Sequence, residues 1–322
     1  MSKPVAASGY KDIYATPLGK GVEWGGTLIP RKIEESIIPY VCNTSVLKPL
    51  TQCAELIEFR KPVEVGPWRP YEMNQRLIPD EPHADRVCLQ ICGQAYKSIK
   101  IDKETIRRAC SEWESVENEM LDSAWNQLEE FLNNDLLTGM MTQVASYNLG
   151  KNAGLYGNID LGTLVSPVDL TPDNIITFFT NMKQVFKDSG RWMDGEMFLV
   201  VPEQMLTLLM VTMFNKQLCC NMGESVLFKG LVAKNIYGFT VIESPRMRPT
   251  IDAATKKLVF PILAGWNEAY AHTSQIVEAD LEKIPGSFGV QYNMLCVYGG
   301  GVIYPDALAL AHVTFSTTGL AP

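Results

Sequence analysis

The sequence lacks the features of a membrane-spanning or secreted protein. Its 322 residues contain no run of 18 or more apolar residues, which is about the length that a membrane-spanning helix needs. Residues 1–9 hold no apolar segment of the kind found in a signal peptide. We therefore expect synthesis in the cytoplasm, with the eight cysteines as reduced thiols.

Residues and motifs that carry catalysis or bind metals are also scarce. The chain has three histidines and contains no G-x-S-x-G, H-E-x-x-H or P-loop motif. Cys88 and Cys92 alternate with apolar residues as on a strand and have no second Cys or His pair nearby. We predict no catalytic, cofactor-binding or metal site. An active site whose members lie far apart in the sequence stays an open alternative.

A basic surface is missing as well, because 36 acidic residues outnumber 28 basic ones and the net charge is −8. This excludes a protein that coats nucleic acid through a broad basic face, although not one that encloses nucleic acid. Residues 101–135 hold ten acids and three bases, which places −7 of the net charge on one segment.

The first hundred residues look unable to bury their own apolar side chains. Residues 1–50 mix Gly, Pro and isolated aromatics, which indicates an extended arm with one short helix at 30–38 that Pro39 ends. Residues 52–100 read as two strands separated by a long polar, proline-rich connection. An isolated hairpin of this kind is marginal in water, so it needs neighbours.

The longest predicted helix spans residues 102–145, with Asp102 as a candidate N-cap. Apolar residues recur every three or four positions and acids fill the opposite side. The apolar positions are Ile106, Cys110, Trp113, Val116, Met120, Ala124, Leu128, Phe131 and Leu132.

The rest of the chain alternates strands and helices, which predicts an α+β fold. We expect a helix beginning near Thr171, a strand at 197–202 and a helix at 203–213. Further strands are expected at 236–244, 262–271 and 288–302, with Gly299–Gly301 forming a flexible glycine break.

This order of parts resembles the major capsid protein of tailed bacteriophages, with the Hong Kong 97-type fold. The likeness covers nearly the whole chain and depends on several weak motifs in the right order. They are residues 87–102 (VCLQICGQAYKSIKID), 198–209 (FLVVPEQMLTLL), 236–244 (IYGFTVIES), 263–269 (LAGWNEA) and 298–307 (YGGGVIYPDA).

The resemblance implies a five-part division of the chain. The parts are an N-terminal arm (1–50), an E-loop hairpin (51–101), a P-domain with a long spine helix (102–165), a central mixed A-domain (166–285) and a C-terminal return to the P-domain (286–322).

The implied function is that of a non-enzymatic shell protein. Hexamers and pentamers would assemble into the icosahedral capsid of a virion, which forms in the host cytoplasm and encloses double-stranded DNA without binding it specifically. No segment of about a hundred residues precedes the arm, so we expect a separate scaffolding protein. A portal and a cement protein are further expected partners, and no membrane is. We assign no cross-linking Lys–Asn pair and therefore expect a non-covalent shell.

The arm and the hairpin supply the candidate contact residues. The candidate anchors on neighbouring subunits are Trp24, Trp68, Arg69 and Tyr71. Contacts with acidic patches there are expected for Arg60, Lys61, Arg69 and Arg76. In this fold the spine helix lies along the inner side of the shell. We therefore expect its acids, represented by Glu114, Glu117, Asp122 and Glu129, to face the genome.

Two other functions stay open. An encapsulin-type nanocompartment has the same fold but encloses a cargo enzyme, and the long arm before the hairpin favours a virus over it. An α/β hydrolase or transferase would fit the strand-rich and helix-rich middle, but it would need convergent titratable groups.

Overall fold

A computed structural model describes residues 36–43, 56–61, 63, 65–71, 73, 76–82, 86–90, 93–102, 113–215, 232–251 and 256–315. Within these ranges the chain forms four α-helices and twelve strands, and it divides into two compact units. Among the described residues, no helix has both the length and the apolar character needed to cross a membrane.

The helices and strands have the following bounds. The α-helices are α1 (Ile38–Val41), α2 (Trp113–Thr142), α3 (Ile175–Asp188) and α4 (Glu203–Asn215), and 3₁₀ turns cover Ser146–Asn148 and Pro305–Ala307. The strands are β1 (Leu56–Arg60), β2 (Arg86–Gln90), β3 (Gly93–Asp102), β4 (Val168–Leu170), β5 (Met197–Val201), β6 (Val232–Ile236), β7 (Phe239–Glu243), β8 (Thr250–Ile251), β9 (Leu258–Trp266), β10 (Tyr270–Lys283), β11 (Gly289–Val302) and β12 (Leu308–Phe315).

Unit one holds the described residues of 94–130 and 276–297. Its sheet has the strand order β10-β11-β3. A row of side chains links the three strands: Ser98 Oγ donates to Asn293 Oδ1 at 2.9 Å, and Asn293 Nδ2 donates to Glu282 Oε2 at 2.9 Å. Lys97 of β3 also donates to Gln127 Oε1 of α2 at 2.8 Å, which ties this sheet to the helix.

Unit two holds the described residues of 36–93, 131–275 and 298–322. Its main sheet has seven strands in the order β4-β12-β9-β5-β7-β6, and β8 pairs with β9. The central strand β5 pairs parallel with β7 and antiparallel with β9. All five β5 residues are buried, as expected for an apolar strand that is covered on both faces.

The main sheet of unit two separates two hydrophobic cores. Side chains alternate along β5, so Leu199 enters one core and Phe198 and Val200 enter the other. The first core includes Phe178, Phe179, Met182, Val185 and Phe186 of α3 together with apolar residues of α4. The second includes Leu136, Leu137 and Met140 of α2 together with Val41 of α1. Unit two is therefore a three-layer arrangement with its sheet in the middle.

Several sequence predictions are confirmed within the described residues. Strands β1 and β2 pair antiparallel, with Leu56 opposite Gln90 and Arg60 opposite Arg86. The strand at 197–201 and the helix that begins at Glu203 have nearly their predicted bounds. The expected α+β class is also correct. The finer division into five parts stays a prediction.

One predicted helix end was wrong. Pro39 lies in the first turn of α1 and does not end a helix there, because proline lacks only an N–H that the first turn would leave unpaired. Asp102 is the last residue of β3, and residues 103–112 after it lie outside the described residues, so its role as an N-cap stays a prediction. The apolar positions Ile106 and Cys110 lie outside the described residues, and α2 is described from Trp113 to Thr142.

Two glycine motifs were also misread. Gly299–Gly301 lies inside strand β11 and makes no break. Glycine is needed at position 300 for another reason, because a Cβ there would lie 2.5 Å from the hydroxyl oxygen of Tyr270. The predicted strand at 236–244 is a hairpin of β6 and β7. Tyr237 and Gly238 form its turn with φ of 54° and 92°, as two-residue hairpin turns require.

Candidate interaction surface

The segment between β1 and β2, here called the 61–82 connection, presents apolar side chains to solvent. Beyond Lys61, every described residue of the connection is exposed. Seven large apolar side chains expose more than half of their surface, from 57% at Val63 to full exposure at Trp68. They are Val63, Val65, Trp68, Tyr71, Met73, Leu77 and Ile78. A group of exposed apolar residues of this size is typical of an interaction surface.

The hairpin below this connection is short. Strands β1 and β2 have five residues each, and among the described strands they pair only with each other. A two-stranded sheet of this size has little stability of its own in water. The exposed apolar residues of the connection therefore need a surface outside their own hairpin in order to be buried.

The connection has one internal contact that shapes it. Arg69 Nη2 lies 2.6 Å from Asp80 Oδ1, and both side chains are partly exposed. Gly66 lies close to the same carboxylate, since a Cβ at Gly66 would be 2.8 Å from Asp80 Oδ2. Gly66 and Arg69 therefore lie close to Asp80 within the connection, and Arg69 has a partner within its own chain.

The structure places the other predicted contact residues as follows. Arg60 is the last residue of β1, and Lys61 lies over the ring of Tyr304 in its own chain. Trp68, Tyr71 and Arg76 are exposed in the connection. Trp24 lies outside the described residues. The predicted roles of these residues at a subunit interface stay predictions.

Five apolar members of this surface were missed by sequence reasoning. They lie among prolines and charged residues, a composition that predicts a polar loop, and they are Val63, Val65, Met73, Leu77 and Ile78. The signal that could have found them is the repeated pairing of apolar residues with proline in a segment too long for a simple turn. Their exposure, however, is visible only in the structure.

Helix α2 carries the predicted acidic residues. Glu114 and Glu117 lie in its first turns, Asp122 is exposed and Glu129 is half-buried. Trp125 exposes 51% of its surface and stands three residues after Asp122 and four before Glu129, on the same side of the helix. The side of α2 that holds Asp122 and Glu129, here called its acidic side, therefore also holds an exposed tryptophan.

Of the two described late histidines, His272 is buried and His312 is half-buried. His272 of β10 is 2% exposed, and its Nε2 atom has no hydrogen-bond partner among the described residues. Burial lowers the pKa of His272 to about 4 and also lowers the pKa of His312. Both imidazoles are therefore neutral near pH 7. His83 lies outside the described residues.

Unit one contains an open cleft of about 210 Å³ whose lining includes Tyr96, Lys97, Glu278, Asp280, Glu282 and Asn293. The three acids are two residues apart on β10 and so share one face of the strand. In the described parts of the chain, no group of three or more His, Cys, Asp or Glu residues has the arrangement of a metal site.

Comparison with known proteins identifies the fold through structure and not through sequence. No protein-family model matches the chain, and no curated protein matches it. The Cyanophage Pam1 capsid asymmetric unit aligns with a TM-score of 0.64 and 10% identity, over 98% of this chain and 100% of that chain. The mature capsid of bacteriophage PhiM1 aligns with a TM-score of 0.61 and 14% identity, over 98% and 99%. The capsid of Cyanophage P-SCSP1u aligns with a TM-score of 0.63 and 10% identity, over 92% and 93%.

These alignments cover nearly the full length of both partners in each comparison. The chain therefore has the mixed α+β fold of phage capsid subunits.

Proposed function

We propose that this chain is the major capsid protein of a tailed double-stranded DNA phage, with a structural and non-enzymatic role. The observation that carries the proposal is the alignment with phage capsid structures over 98% of the chain. The exposed apolar 61–82 connection supports it independently, because a subunit that cannot bury its own apolar residues needs neighbours.

We further propose an assignment of the structural elements to the parts of a Hong Kong 97-type subunit. In this proposal the E-loop is β1, the 61–82 connection and β2. The spine helix is α2, and the central A-domain is the seven-stranded sheet with α3 and α4. The N-terminal arm, residues 1–50, lies mostly outside the described residues.

The connection is the proposed contact with a neighbouring subunit in the hexamers and pentamers of the shell. Trp68 and Tyr71 are its proposed anchors, because aromatic side chains dominate interface energetics when they fill a pocket on a partner. Arg76 in the same connection is proposed to contact acidic groups of that neighbour, as Arg60 and Arg69 are, whereas Lys61 contacts Tyr304 of its own chain.

The acidic side of α2 is proposed to face the genome. Its carboxylates would repel phosphate and keep DNA from adhering to the wall of the shell. This repulsion acts only near the surface, since the Debye length is about 8 Å at roughly 0.15 M salt. The proposed partners of the shell are a separate scaffolding protein, a portal and a cement protein, and the shell itself is proposed to be non-covalent.

The two alternative functions have less support. An encapsulin-type shell would share the fold, but the aligned structures named above are capsids of phages. A hydrolase or transferase would need an accessible base, whereas His272 is buried and His312 is half-buried.

Negative-stain microscopy of the purified protein, followed by nucleic-acid analysis of native particles, tests the proposal. Closed icosahedral shells that contain double-stranded DNA in native particles are the expected result. Particles filled with a cargo enzyme would favour the encapsulin alternative. A chain that stays monomeric at assembly concentrations, with the 61–82 connection folded onto its own body, would contradict both.

A further inference from the structure

A cluster of charged and aromatic side chains lies where the 61–82 connection leaves strand β1. Lys61 directly follows β1, and its Nζ atom lies over the ring of Tyr304, 5.3 Å from the ring centroid. The guanidinium of Arg191 lies over the same ring, with its Cζ atom 5.1 Å from the centroid. We call Lys61, Arg191, Trp266, Tyr304 and Asp306 the Tyr304 cluster; all five belong to unit two.

Tyr304 and its neighbours make several contacts within unit two. Its backbone N–H donates to the carbonyl of Ala269 at 3.2 Å, and the ring of Trp266 lies 5.6 Å away between centroids. Arg191 Nε donates to Asp306 Oδ2 at 2.6 Å. Asn148 Nδ2 in turn donates to the carbonyl of Asp306 at 2.8 Å, which fixes the turn that follows Tyr304.

The charges of the cluster are arranged so that a second cation can approach the ring. Two cations over one aromatic ring repel each other, and the carboxylate of Asp306 offsets the charge of Arg191. Lys61 can then lie over the electron-rich face of Tyr304. Every described residue of the connection beyond Lys61 is exposed, whereas Lys61 is half-buried. Lys61 is therefore the described residue that attaches the start of the connection to the rest of unit two.

We infer that Lys61, Tyr304 and Arg191 fix the direction in which the 61–82 connection extends from strand β1, and that they thereby position its exposed aromatic residues. The inference rests on the proposed function, because the direction of the connection affects function only if the connection binds to a second copy of the chain. Lys61 and Tyr304 are positioning residues: they act on a neighbour through Trp68 and Tyr71.

Two matched pairs of variants test the inference in the unassembled full-length chain. Lys61→Met keeps most of the aliphatic stem and removes the charge, whereas Lys61→Arg keeps a cation. Tyr304→Leu removes the ring, whereas Tyr304→Phe keeps it. Hydrogen exchange of the amides of β1 and β2 is measured for each variant, with Lys151→Met as a control at an exposed lysine outside the cluster.

A cation over a tyrosine ring at a partly exposed position contributes enough to change local opening about two- to fivefold. We therefore expect β1 and β2 to exchange about two- to fivefold faster in Lys61→Met and Tyr304→Leu. Exchange in Lys61→Arg, Tyr304→Phe and Lys151→Met should match the original chain. The inference is overturned if β1 and β2 exchange equally fast in Lys61→Met and in the original chain. It is also overturned if Lys61→Arg accelerates their exchange as much as Lys61→Met does.

Shell assembly separates this inference from the proposed function. Lys61→Met is expected to lower the yield of closed shells, and Lys61→Arg is expected to restore it. If the original chain fails to assemble, the proposed function is contradicted while the exchange result still decides the role of the cluster. If Lys61→Met shows faster exchange but assembles as well as the original chain, the cluster does not position the connection for a neighbour.

Discussion

His272 shows how a single buried residue links this fold to pH. It lies on strand β10 with 2% of its surface exposed and its Nε2 atom without a partner among the described residues. Burial disfavours the charged imidazolium and lowers the pKa of His272 to about 4. The unfolded chain, where histidine has its ordinary pKa near 6.5, takes up a proton first as the pH falls.

The free energy of unfolding should therefore be highest above pH 6.5 and fall as the pH drops from 6.5 to 4. The contribution of His272 to this loss is roughly 3 kcal/mol. Urea unfolding of the unassembled chain at several pH values measures it. His272→Gln should remove most of this loss, and His312→Gln is the matched comparison at a partly exposed histidine. A pH dependence that His272→Gln leaves unchanged would show that His272 is not its source.

Tyr270 is a second residue whose effect depends on close packing. Burial raises the pKa of its hydroxyl, and the charges of Asp135 and Cys42 raise it further. A Cβ added at Gly139 of α2 would lie 2.9 Å from the Tyr270 hydroxyl oxygen and 3.7 Å from the next ring atom. Tyr270 therefore requires glycine on the helix that packs against it.

Gly139→Ala is expected to have opposite effects in two backgrounds. With Tyr270 present, the clash should lower the free energy of unfolding by about 1 kcal/mol. With Tyr270→Phe the clash disappears, and the higher helix propensity of alanine should raise the free energy of unfolding by about 0.5–1 kcal/mol. Urea unfolding of the four proteins in this double-mutant cycle measures the difference. Equal effects of Gly139→Ala in both backgrounds would contradict the packing argument.

At the scale of elements, the hairpin and its connection differ from the main sheet of unit two in how much apolar surface they expose. The main sheet is covered by α3 and α4 on one face and by α1 and α2 on the other. The 61–82 connection instead presents seven large apolar side chains to solvent. The connection can therefore be changed without disturbing either hydrophobic core.

Replacing Trp68, Tyr71 and Met73 together with serine should abolish shell assembly and leave the subunit folded. The physical reason is that these side chains are exposed in the subunit and can gain burial only on a neighbour. Circular dichroism checks the fold, and negative-stain microscopy checks the shells. Leu155→Ser with Tyr156→Ser is the matched control at another exposed apolar pair. Normal shells from the triple variant would contradict the proposed role of the connection.

Helix α2 has seven acidic residues and no basic residue between Trp113 and Thr142. Changing Glu114, Glu117 and Glu129 to Gln and Asp122 to Asn should leave assembly intact, since the hydrophobic cores are untouched. The same change should hinder DNA packaging or ejection, because the wall would no longer repel phosphate. DNA content and release from purified virions measure the effect. Unchanged content and release would refute the proposed orientation of the helix.

At the scale of the whole molecule, the fold is far better preserved than the sequence. The aligned phage capsid structures share 10–14% identity with this chain, with TM-scores of 0.61 to 0.64. Many sequences satisfy the same pattern of buried and exposed positions, because cores need apolar residues of suitable total volume more than particular ones. The charge on α2 and the apolar residues of the connection are features of this chain that fold similarity alone does not supply.

Local pattern was sufficient where one short stretch of sequence controls the outcome. The run Met197–Val201 and the Glu203 that follows Pro202 predicted β5 and α4 with nearly the correct bounds. Pattern failed where a distant residue controls the outcome. Gly299–Gly301 was read as a break because its partner Tyr270 lies about thirty residues away in sequence, and only that contact explains why glycine is needed within β11.

The sequence by itself determined the α+β class, the antiparallel pairing of β1 with β2 and the acidic character of α2, because these follow from local periodicity and charge. Only the tertiary structure decided that Lys61 contacts Tyr304, that Arg69 pairs with Asp80, and that Val65, Met73, Leu77 and Ile78 face solvent. These outcomes depend on which distant segments meet, and neither side-chain period nor composition encodes that choice.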